Sequence, residues 1–429
     1  MVRLLVGKKK SNAKSRAARY VERIEESKAA WNSPSLKVAM IQSLIPLGLM
    51  AVEDMLQAEV AALAGARYAR GHEGVRWGSN PGSVFLAEQK VSVRVPRVRR
   101  RSSKEEIPLS SYGALQNPGH MDERLFGRIL QGVSARRYED TAMKVPEAFG
   151  IKKSSVSRRF IKACSAKLRE LTERDLSVHD IVTIFIDGKH FAENEIIIAL
   201  GVTMTGEKVV LGFTEASSEN ATVCREFVRG LVNRGLNVDN EILFVIDGSK
   251  GLRKGIKNLL GDKAFIQRCQ WHKRENVVSY LNDQAKPRWR NTLHRLFAEP
   301  DAEKRNKYLP GIIKELGLLN ESAANSLKEG LDEIMTVHSL RLPKELAIGL
   351  RTTNPIENVN SLLGQYTDRV DHWKTSHQRQ RWVATALLEV EPRLRRIRGY
   401  AALGRLREAM KEAREKALGI RSTKEAKAA

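Results

Sequence analysis

Two runs of apolar residues dominate the middle of the chain. Residues 181–188 and 241–248 are both rich in β-branched side chains, and both end in Ile-Asp-Gly. Near-continuous apolar runs of this length are typical of central strands that are buried on both faces of a sheet. We therefore expect two buried strands, each ending at an aspartate, Asp187 and Asp247.

Further strands and a helix are predicted around these runs. Residues 196–204 and 209–213 predict two strands joined by a tight turn, residues 220–234 predict a helix, and residues 264–267 predict a fifth strand. Three consecutive strands followed by a helical crossover form a mixed sheet, in which the first and fourth strands can lie side by side and parallel. The pattern thus predicts an α/β fold with a mixed sheet.

Parallel pairing of the two apolar runs would bring their carboxylates together. Asp187 and Asp247 would then lie at equal heights on neighbouring strands, about 5 Å apart. Two buried like charges repel each other, so one takes up a proton unless a divalent cation lies between them, and hard oxygen ligands favour Mg²⁺. Metal ions held in this way activate an attacking oxygen and stabilise a leaving one in phosphoryl transfer. Each Asp-Gly pair taken alone is also typical of a turn.

A two-metal centre of this kind usually needs a third acid, and Glu357 is the candidate. The preceding Asn354-Pro355 indicates a helix start with proline in its first turn. Position alone does not select Glu357 among 50 acidic residues. Residues 276–349 have helical spacing and no strand pattern, so an inserted helical block is expected before it.

The first hundred residues change character twice. Residues 36–70 carry apolar side chains three and four positions apart, which predicts an amphipathic helix interrupted near Pro46. Its apolar face either packs internally or pairs two copies of the chain. Glycine, asparagine and proline between residues 71 and 82 then predict a break in regular structure.

A basic strand is expected after this break. Residues 91–101 largely alternate apolar with polar or basic side chains and include five arginines, among them Arg97 and Arg99. Such a strand has a cationic face suited to phosphate contact. A solvated edge strand would show the same pattern.

Residues 134–164 resemble a helix-turn-helix. Gly150 suits the tight turn, and Ser154 is a good N-cap for a helix whose Val156, Phe160 and Ile161 face inward. Short donors at the helix start with arginines one turn later are what a helix that reads the major groove needs. The candidate DNA contacts here are Lys152, Lys153, Ser155, Arg158 and Arg159. Pro146 departs from the usual motif, and a plain helical hairpin with a solvated basic face is the alternative.

Composition points to a polyanionic partner. The 429 residues include 74 Lys and Arg against 50 Asp and Glu, a net charge of +24. This excess favours nucleic acid over an anionic membrane as the partner, with a basic but inert surface as the alternative. The three cysteines imply no disulfide framework, and neither a membrane span nor a secretory signal is found, which predicts a cytoplasmic protein. Glycine-rich phosphate loops are absent from the sequence, so ATP or NAD dependence has no support.

Several of these residues together resemble the Mutator-type transposases of bacterial insertion sequences, over residues 124–409. The resemblance is carried by Asp187, Asp247, Glu357, the Cys-x-x-His element in residues 268–277, and Asp371-His372-Trp373. It implies a ribonuclease H-like catalytic domain whose Asp-Asp-Glu triad holds two Mg²⁺ or Mn²⁺ ions, interrupted by an all-helical insertion before the glutamate. It also implies that Cys269 and His272 belong to the catalytic core.

The roles of Cys269 and His272 stay open at this point. The pair is half a zinc site, but the sequence offers no second half, which argues against zinc. Either Cys269 packs behind the sheet and His272 bonds locally, or His272 touches the scissile phosphate or orients a carboxylate.

Other residues near the predicted strands are candidate DNA contacts. The basic ones are Lys250, Arg268, Lys273 and Arg274. Trp373, and Trp382 after it, would stack on an unpaired base near the cut end, although tryptophan in helices is more often part of a core.

We therefore expect a transposase that uses Mg²⁺ to cleave DNA at the ends of an insertion sequence and to join the freed 3′-hydroxyl to target DNA. Its expected partners are terminal inverted repeats, target DNA and a second or further copy of the chain in a synaptic complex, near the nucleoid and without a membrane. Two alternatives are an inactive DNA-binding regulator descended from such an enzyme, and a ribonuclease H-like nuclease or resolvase that joins no strands.

The predictions divide the chain into consecutive segments. These are a basic N-terminal helical region with the short basic strand (1–115), a helix-turn-helix DNA-binding domain (116–178), the first part of the catalytic domain (179–275), the all-helical insertion (276–349), the second catalytic part with Glu357 (350–400) and a basic helical tail (401–429).

Overall fold

The computed structural model describes most of the chain from residue 34 to residue 419. Within this range it leaves out residues 70, 87–88, 117–125, 127–129, 131–147, 150–152, 192–193, 217–219, 369, 371–372 and 374. The chain divides into two compact units, residues 1–163 and residues 164–429.

The N-terminal unit packs a long helix on a small antiparallel sheet. Its described elements are α1 (Pro34–Ala64), β1 (Gly74–Leu86), β2 (Gln89–Arg100), β3 (Glu106–Ile107), α2 (Ser110–Gln116), β4 (Ala148–Phe149) and the start of α3 (Lys153–Thr172). Strands β1, β3 and β4 all pair with β2. The apolar face of α1 packs internally, because Val52, Leu56 and Val60 form one core with Val84 and Val98.

The predicted interruption of this helix was wrong. Helix α1 is continuous through Pro46. A proline inside a helix removes one backbone hydrogen bond and crowds the preceding turn, but the helix continues where packing holds both sides. The buried Val52, Leu56 and Val60 provide that packing after Pro46.

The predicted break over residues 71–82 was wrong as well. These residues form much of β1, which pairs with β2 from Gly74 opposite Arg100 to Leu86 opposite Gln89. The register shifts between Arg76 and Ser79, where Gly78 adopts a φ of 79°. The glycines are thus accommodated by a β-bulge within a long hairpin, and the basic strand is one arm of that hairpin.

Helix α3 confirms part of the predicted helical stripe. Phe160 is buried, whereas Ile161 is 42% exposed, so Ile161 does not face inward as predicted. Consecutive helical residues point in directions about 100° apart. A narrow apolar face therefore buries only one of Phe160 and Ile161. Pro146, the Gly150 turn and the side chains of Ser154 and Val156 lie outside the described residues.

The C-terminal unit contains a mixed five-stranded sheet. Its strands are β5 (Ile181–Phe191), β6 (Asn194–Thr203), β7 (Lys208–Ala216), β8 (Ile242–Ile246) and β9 (Ala264–Arg268). They lie in the order β7-β6-β5-β8-β9. Neighbours among the first three strands are antiparallel, and β8 pairs parallel with both β5 and β9. The predicted α/β class and the parallel pairing of the two apolar runs are confirmed.

Helices cover this sheet. Helices α4 (Ala221–Asn233) and α5 (Lys250–Leu260) pack on one face, where Val228 and Ile256 share a core with Ile184 and Ile186. Because side chains alternate along a strand, the neighbouring Asp187 points to the opposite face. Helix α13 (Asn354–Thr367) contacts β5, and helix α14 (Ser376–Val390) contacts β7.

Residues 276–349, all of them described, contain helices and turns and no strand. This stretch comprises the end of α6 (Gln270–Ser279), then α7 (Lys286–Ala298), α8 (Ala302–Leu319), α9 (Glu321–Lys328), α10 (Leu331–Ile334), α11 (Thr336–Ser339) and α12 (Lys344–Leu350). We call residues 276–349 the helical block. It has its own core around Trp289, Leu293 and Leu316.

The described chain ends with α15 (Leu403–Ala417). Among the described residues, none of the helices has both the length and the apolar character needed to cross a membrane.

Candidate active site

The two aspartates lie side by side at one edge of the parallel strands. Ile186 of β5 pairs with Ile246 of β8, so the next residues, Asp187 and Asp247, lie at equal heights on neighbouring strands. Asp187 is 8% exposed and Asp247 is half-buried. Asp247 Oδ1 accepts a hydrogen bond of 2.9 Å from the backbone N–H of Ser249, which itself caps α5. The turn after β8 therefore fixes the orientation of the Asp247 carboxylate on the strand next to that of Asp187.

Helix α13 brings a third group to Asp187. The amide Nδ2 of Asn360 donates to Asp187 Oδ2 at 2.8 Å, and Lys189 Nζ donates to the backbone oxygen of Asn360 at 2.9 Å. Burial lowers the pKa of Lys189, although Asp368 opposes the shift. The side-chain oxygen of Asn360 is buried and has no hydrogen-bond partner in the described part of the chain. An unused acceptor thus lies beside the aspartate.

Glu357 lies one turn before Asn360, in the first turn of α13 as predicted. Its Oε1 accepts a hydrogen bond of 2.6 Å from the hydroxyl of Thr353. That hydroxyl is also 3.3 Å from the sulfur of Cys269 and 3.4 Å from Nδ1 of His272. Since a hydroxyl has one proton, we assign it to the short bond with the carboxylate, which leaves the Thr353 oxygen to accept from His272.

The Cys-x-x-His element is thereby joined to the glutamate. The backbone N–H of Cys269 donates to the carbonyl of Ile246 at 2.7 Å, next to Asp247. The thiol is fully buried and accepts from the backbone N–H of Thr353 at 3.4 Å. One ligand atom each of Cys269, His272 and Glu357 lie within 4.8 Å of one another.

The electrostatics favour a cation among these acids. The hydrogen bond with Cys269 and the charges of Cys269, Asp187 and Asp247 together raise the pKa of His272 to about 9, against the effect of burial. Burial raises the pKa of the Cys269 thiol, but hydrogen bonds with His272 and Thr353 outweigh burial and lower the pKa overall. A positively charged His272 therefore neutralises part of the charge of the aspartates.

The donor atoms fit a divalent cation at the aspartates better than at the cysteine. Asp187, Asp247 and the free Asn360 oxygen offer hard oxygen ligands, which suit Mg²⁺. The ligand atoms that cluster around Cys269 include one from Glu357 but none from either aspartate. In this conformation Glu357 accepts a hydrogen bond from Thr353 and does not join the two aspartates.

The basic residues after β9 differ in their exposure. Arg268 is 4% exposed, donates to the carbonyl of Gly248 at 2.7 Å and lies 3.4 Å from Glu333. Lys273 is 5% exposed and donates to the carbonyl of Ser326 at 2.8 Å. Arg268 joins the end of β9 to the helical block, Lys273 joins α6 to it, and both side chains present little surface to a phosphate.

Two other predicted cations are more accessible. Lys250 is largely exposed and lies 3.3 Å from Glu329. Arg274 is half-buried and pairs with Glu275.

The predicted stacking tryptophan is packed against other aromatic rings. The ring of Trp373 lies 4.7 Å from that of Phe191 and 5.9 Å from that of Trp382. The indole N–H of Trp382 donates to the carbonyl of Tyr366. Asp371 and His372, which lie beside Trp373, are outside the described residues.

The candidate DNA contacts of the N-terminal unit are described only in part. Arg97 donates to Glu106 at 2.8 Å, and the guanidinium of Arg99 lies 4.7 Å from the ring centre of Trp77. Arg158 is exposed on α3. Lys152 and the side chains of Lys153, Ser155 and Arg159 lie outside the described residues.

The sequence reasoning missed Thr353, Lys189 and Asn360. Thr353 follows Arg351-Thr352 directly before the predicted helix start, and a hydroxyl at that position was an available signal. Asn360 lies one helical turn after Glu357, a spacing that places both on one face of a helix. Nothing local marks Lys189.

The chain is similar to transposases over most of its length. A family model described as transposase, Mutator family, matches residues 21–394. The transposase for insertion sequence element IS406 of Burkholderia multivorans is 26% identical over 329 residues, which are 73% of this chain and 81% of that relative. The transposase for IS905 of Lactococcus lactis subsp. lactis is 25% identical over 349 residues, 78% of this chain and 85% of the relative. The transposase for IS6120 of Mycolicibacterium smegmatis is 28% identical over 196 residues, and the match spans only 44% of this chain and 59% of that relative. The chain therefore belongs to the Mutator family of transposases.

Proposed function

We propose that this chain cleaves DNA at the ends of an insertion sequence and joins them to target DNA with Asp187, Asp247 and Glu357 as its catalytic acids. The observation that carries the proposal is the parallel pairing of β5 with β8, which places two carboxylates side by side next to a helix that carries a third. The strand order β7-β6-β5-β8-β9 supports a ribonuclease H-like fold for this unit. The names of the relatives, which are transposases for insertion sequence elements, support the substrate.

Asp187, Asp247 and Glu357 would hold two Mg²⁺ ions, which when bound activate the attacking oxygen and stabilise the leaving one. Glu357 would face the pair with its second oxygen, Oε2, while the Thr353 hydroxyl keeps its hydrogen bond to Oε1 and so holds the carboxylate in position. Asn360 fixes the orientation of the Asp187 carboxylate through its 2.8 Å hydrogen bond. The cationic His272 lies where it attracts the phosphate that is cut and offsets the repulsion between phosphate and carboxylates.

The proposed DNA contacts are exposed basic side chains. In the N-terminal unit these include Arg94, Arg101 and Arg158. The predicted helix-turn-helix, whose second helix is α3, would read the terminal repeats, and a dimer or larger assembly would bring two ends together. Arg268 and Lys273 are not among the proposed DNA contacts, because both side chains are buried.

The test is a cleavage assay with the full-length chain and a plasmid that carries the element and its ends. We expect Mg²⁺ to support cleavage and EDTA to abolish it. D187N and D247N should each lower the cleavage rate about 1,000-fold or more, because each removes a charged ligand of the metals. The matched control is D239N, since Asp239 is a fully solvated aspartate on the same unit.

DNA binding, measured beside cleavage, should stay within about twofold for all three variants. Full cleavage by D247N would overturn the assignment of the acids. A second assay with pre-cut ends separates the alternatives, because a nuclease or resolvase would nick DNA and join none, and an inactive regulator would do neither.

A further inference from the structure

A cavity that the proposed chemistry does not use opens beside the candidate active site. Its volume is about 540 Å³. Trp271 and Arg274 of α6 line one side, Lys344 and Ile348 of α12 line another, and Arg351 contributes a further cation. The walls thus come from the Cys-x-x-His segment, from α7 and α12 of the helical block and from the residues just before α13.

The lining combines an aromatic ring, apolar surface and positive charge. Trp271 is 45% exposed and Ile348 is 40% exposed, although both are large apolar side chains. Arg274, Lys344 and Arg351 supply cations, and no acidic side chain is found among the residues that line the cavity. An aromatic face binds any nucleobase by stacking, and neighbouring cations bind its phosphate.

The position of the cavity relates it to the catalytic acids. The Trp271 ring stands edge-on to the ring of His272, with centroids 4.9 Å apart. Thr352 and Asn354 also line the cavity, and they flank Thr353, whose hydroxyl bonds to Glu357. The cavity therefore adjoins the two segments that carry His272 and Glu357, and this position favours a nucleotide next to a phosphate held by the acids as its ligand.

We propose that this cavity binds one unpaired nucleotide of the DNA substrate next to the reacting phosphate, with its base stacked on Trp271 and its phosphate facing Lys344 and Arg351. This proposal rests on the proposed function, because the proposed ligand is the DNA strand that enters the active site. Unpairing a base at a DNA end costs free energy, and stacking of that base on an aromatic side chain offsets this cost. Trp271, and not Trp373, is then the base-stacking residue of the C-terminal unit.

The probe is a DNA duplex with a single-stranded tail of three thymidines, compared with the same duplex carrying three abasic residues. Both tails have the same phosphates, so the ratio of their dissociation constants isolates the contribution of the bases. Tails at the 3′ end and at the 5′ end are both measured. Binding of the full-length chain is followed by fluorescence anisotropy in EDTA, so that no DNA is cut.

We expect the unaltered chain to bind the thymidine tail of at least one polarity about fivefold or more tightly than the abasic tail. W271A should bring this ratio close to one, and W271F should retain most of it because phenylalanine keeps an aromatic face. The matched control is Y280A, since Tyr280 is an aromatic residue at the end of the same helix and 51% exposed. Its ratio should equal that of the unaltered chain.

Lys344 tests the phosphate part of the proposal. K344A should weaken binding of both tails alike and lower the slope of log affinity against log salt by about 0.7, the value for one phosphate contact on a single strand. Melting temperatures of all variants, compared with that of the unaltered chain, separate loss of stacking from loss of the fold.

No base preference in the unaltered chain, or a preference that survives W271A in a folded protein, would overturn the proposal. The readout needs no catalysis, so it can fail while Mg²⁺-dependent cleavage is present. Conversely, full cleavage by D247N would contradict the proposed function, and the base preference of the cavity would still be measurable.

Discussion

The hydroxyl of Thr353 is the point at which three functional side chains meet. It donates to Glu357 at 2.6 Å and lies 3.4 Å from His272 Nδ1. The sequence predicted the two aspartates from the apolar strands that they end, and it predicted Glu357 from a helix start together with the family resemblance. It did not predict Thr353 or Asn360 as their partners, because Asn360 and Asp187 are 173 positions apart in the chain. Contacts of that kind depend on how elements pack, which local spacing does not encode.

We predict that T353V slows cleavage by about tenfold or more while T353S slows it much less. Valine keeps the volume but removes the donor that positions the Glu357 carboxylate, and a hydrogen bond to a charged group contributes about 1.5–3 kcal/mol. Single-turnover cleavage rates measure the effect, and unchanged DNA affinity shows that binding is intact. Equal rates for T353V and T353S would contradict a positioning role for the hydroxyl.

A second residue predicts the pH dependence of stability. Burial, together with the charges of Arg351 and Arg305, lowers the pKa of His338 to about 4. Since the folded pKa lies below the ordinary 6.5, the unfolded chain binds the proton more tightly. The contribution of neutral His338 is therefore complete above pH 6.5 and is lost as the pH falls towards 4. Melting temperatures should fall more steeply over this window for the unaltered chain than for H338Q, and parallel curves would count against the assignment.

Strands and helices show where sequence patterns suffice. The five strands of the C-terminal sheet and the helical block follow their apolar spacing, because each element buries the face that its own sequence defines. The N-terminal hairpin does not follow its local signals. Gly78 and Pro81 favour a break, but pairing with β2 over the whole length of β1 outweighs that preference. Pairing between strands is a property of two segments and was not visible in either alone.

Arg268 ties the end of β9 to the helical block and to the turn after Asp247. It is buried, donates to the carbonyl of Gly248 and pairs with Glu333. We predict that R268M lowers the free energy of unfolding by about 3 kcal/mol, because it leaves Glu333 and the carbonyl of Gly248 without this partner. R253A is the control, since Arg253 pairs with the same glutamate but is 51% exposed, and its loss should cost about 1 kcal/mol or less. Urea unfolding followed by circular dichroism measures both, and equal losses would show that Arg268 has no special part in the junction.

At the scale of the whole molecule, composition gives the sign of the charge and the structure gives its distribution. The net charge of +24 favours a polyanion, but it does not distinguish a general basic coat from specific contacts. The described cations divide into buried ones that bridge elements, such as Arg268 and Lys273, and exposed ones, such as Arg94 and Arg101 of the N-terminal hairpin. Only the exposed group is able to replace counterions on DNA, so net charge overstates the number of phosphate contacts.

This division predicts how salt affects DNA binding. The double variant R94Q/R101Q removes two exposed charges of the hairpin, and the slope of log affinity against log salt should fall by about 1.8 if both contact phosphates. K307Q/K314Q removes the same charge from exposed positions on α8 and should leave the slope unchanged. Titrations of the full-length chain with duplex DNA at several salt concentrations measure both slopes. Equal reductions of the slope in the two variants would mean that DNA binding depends on overall charge. The N-terminal hairpin would then not be a specific DNA contact.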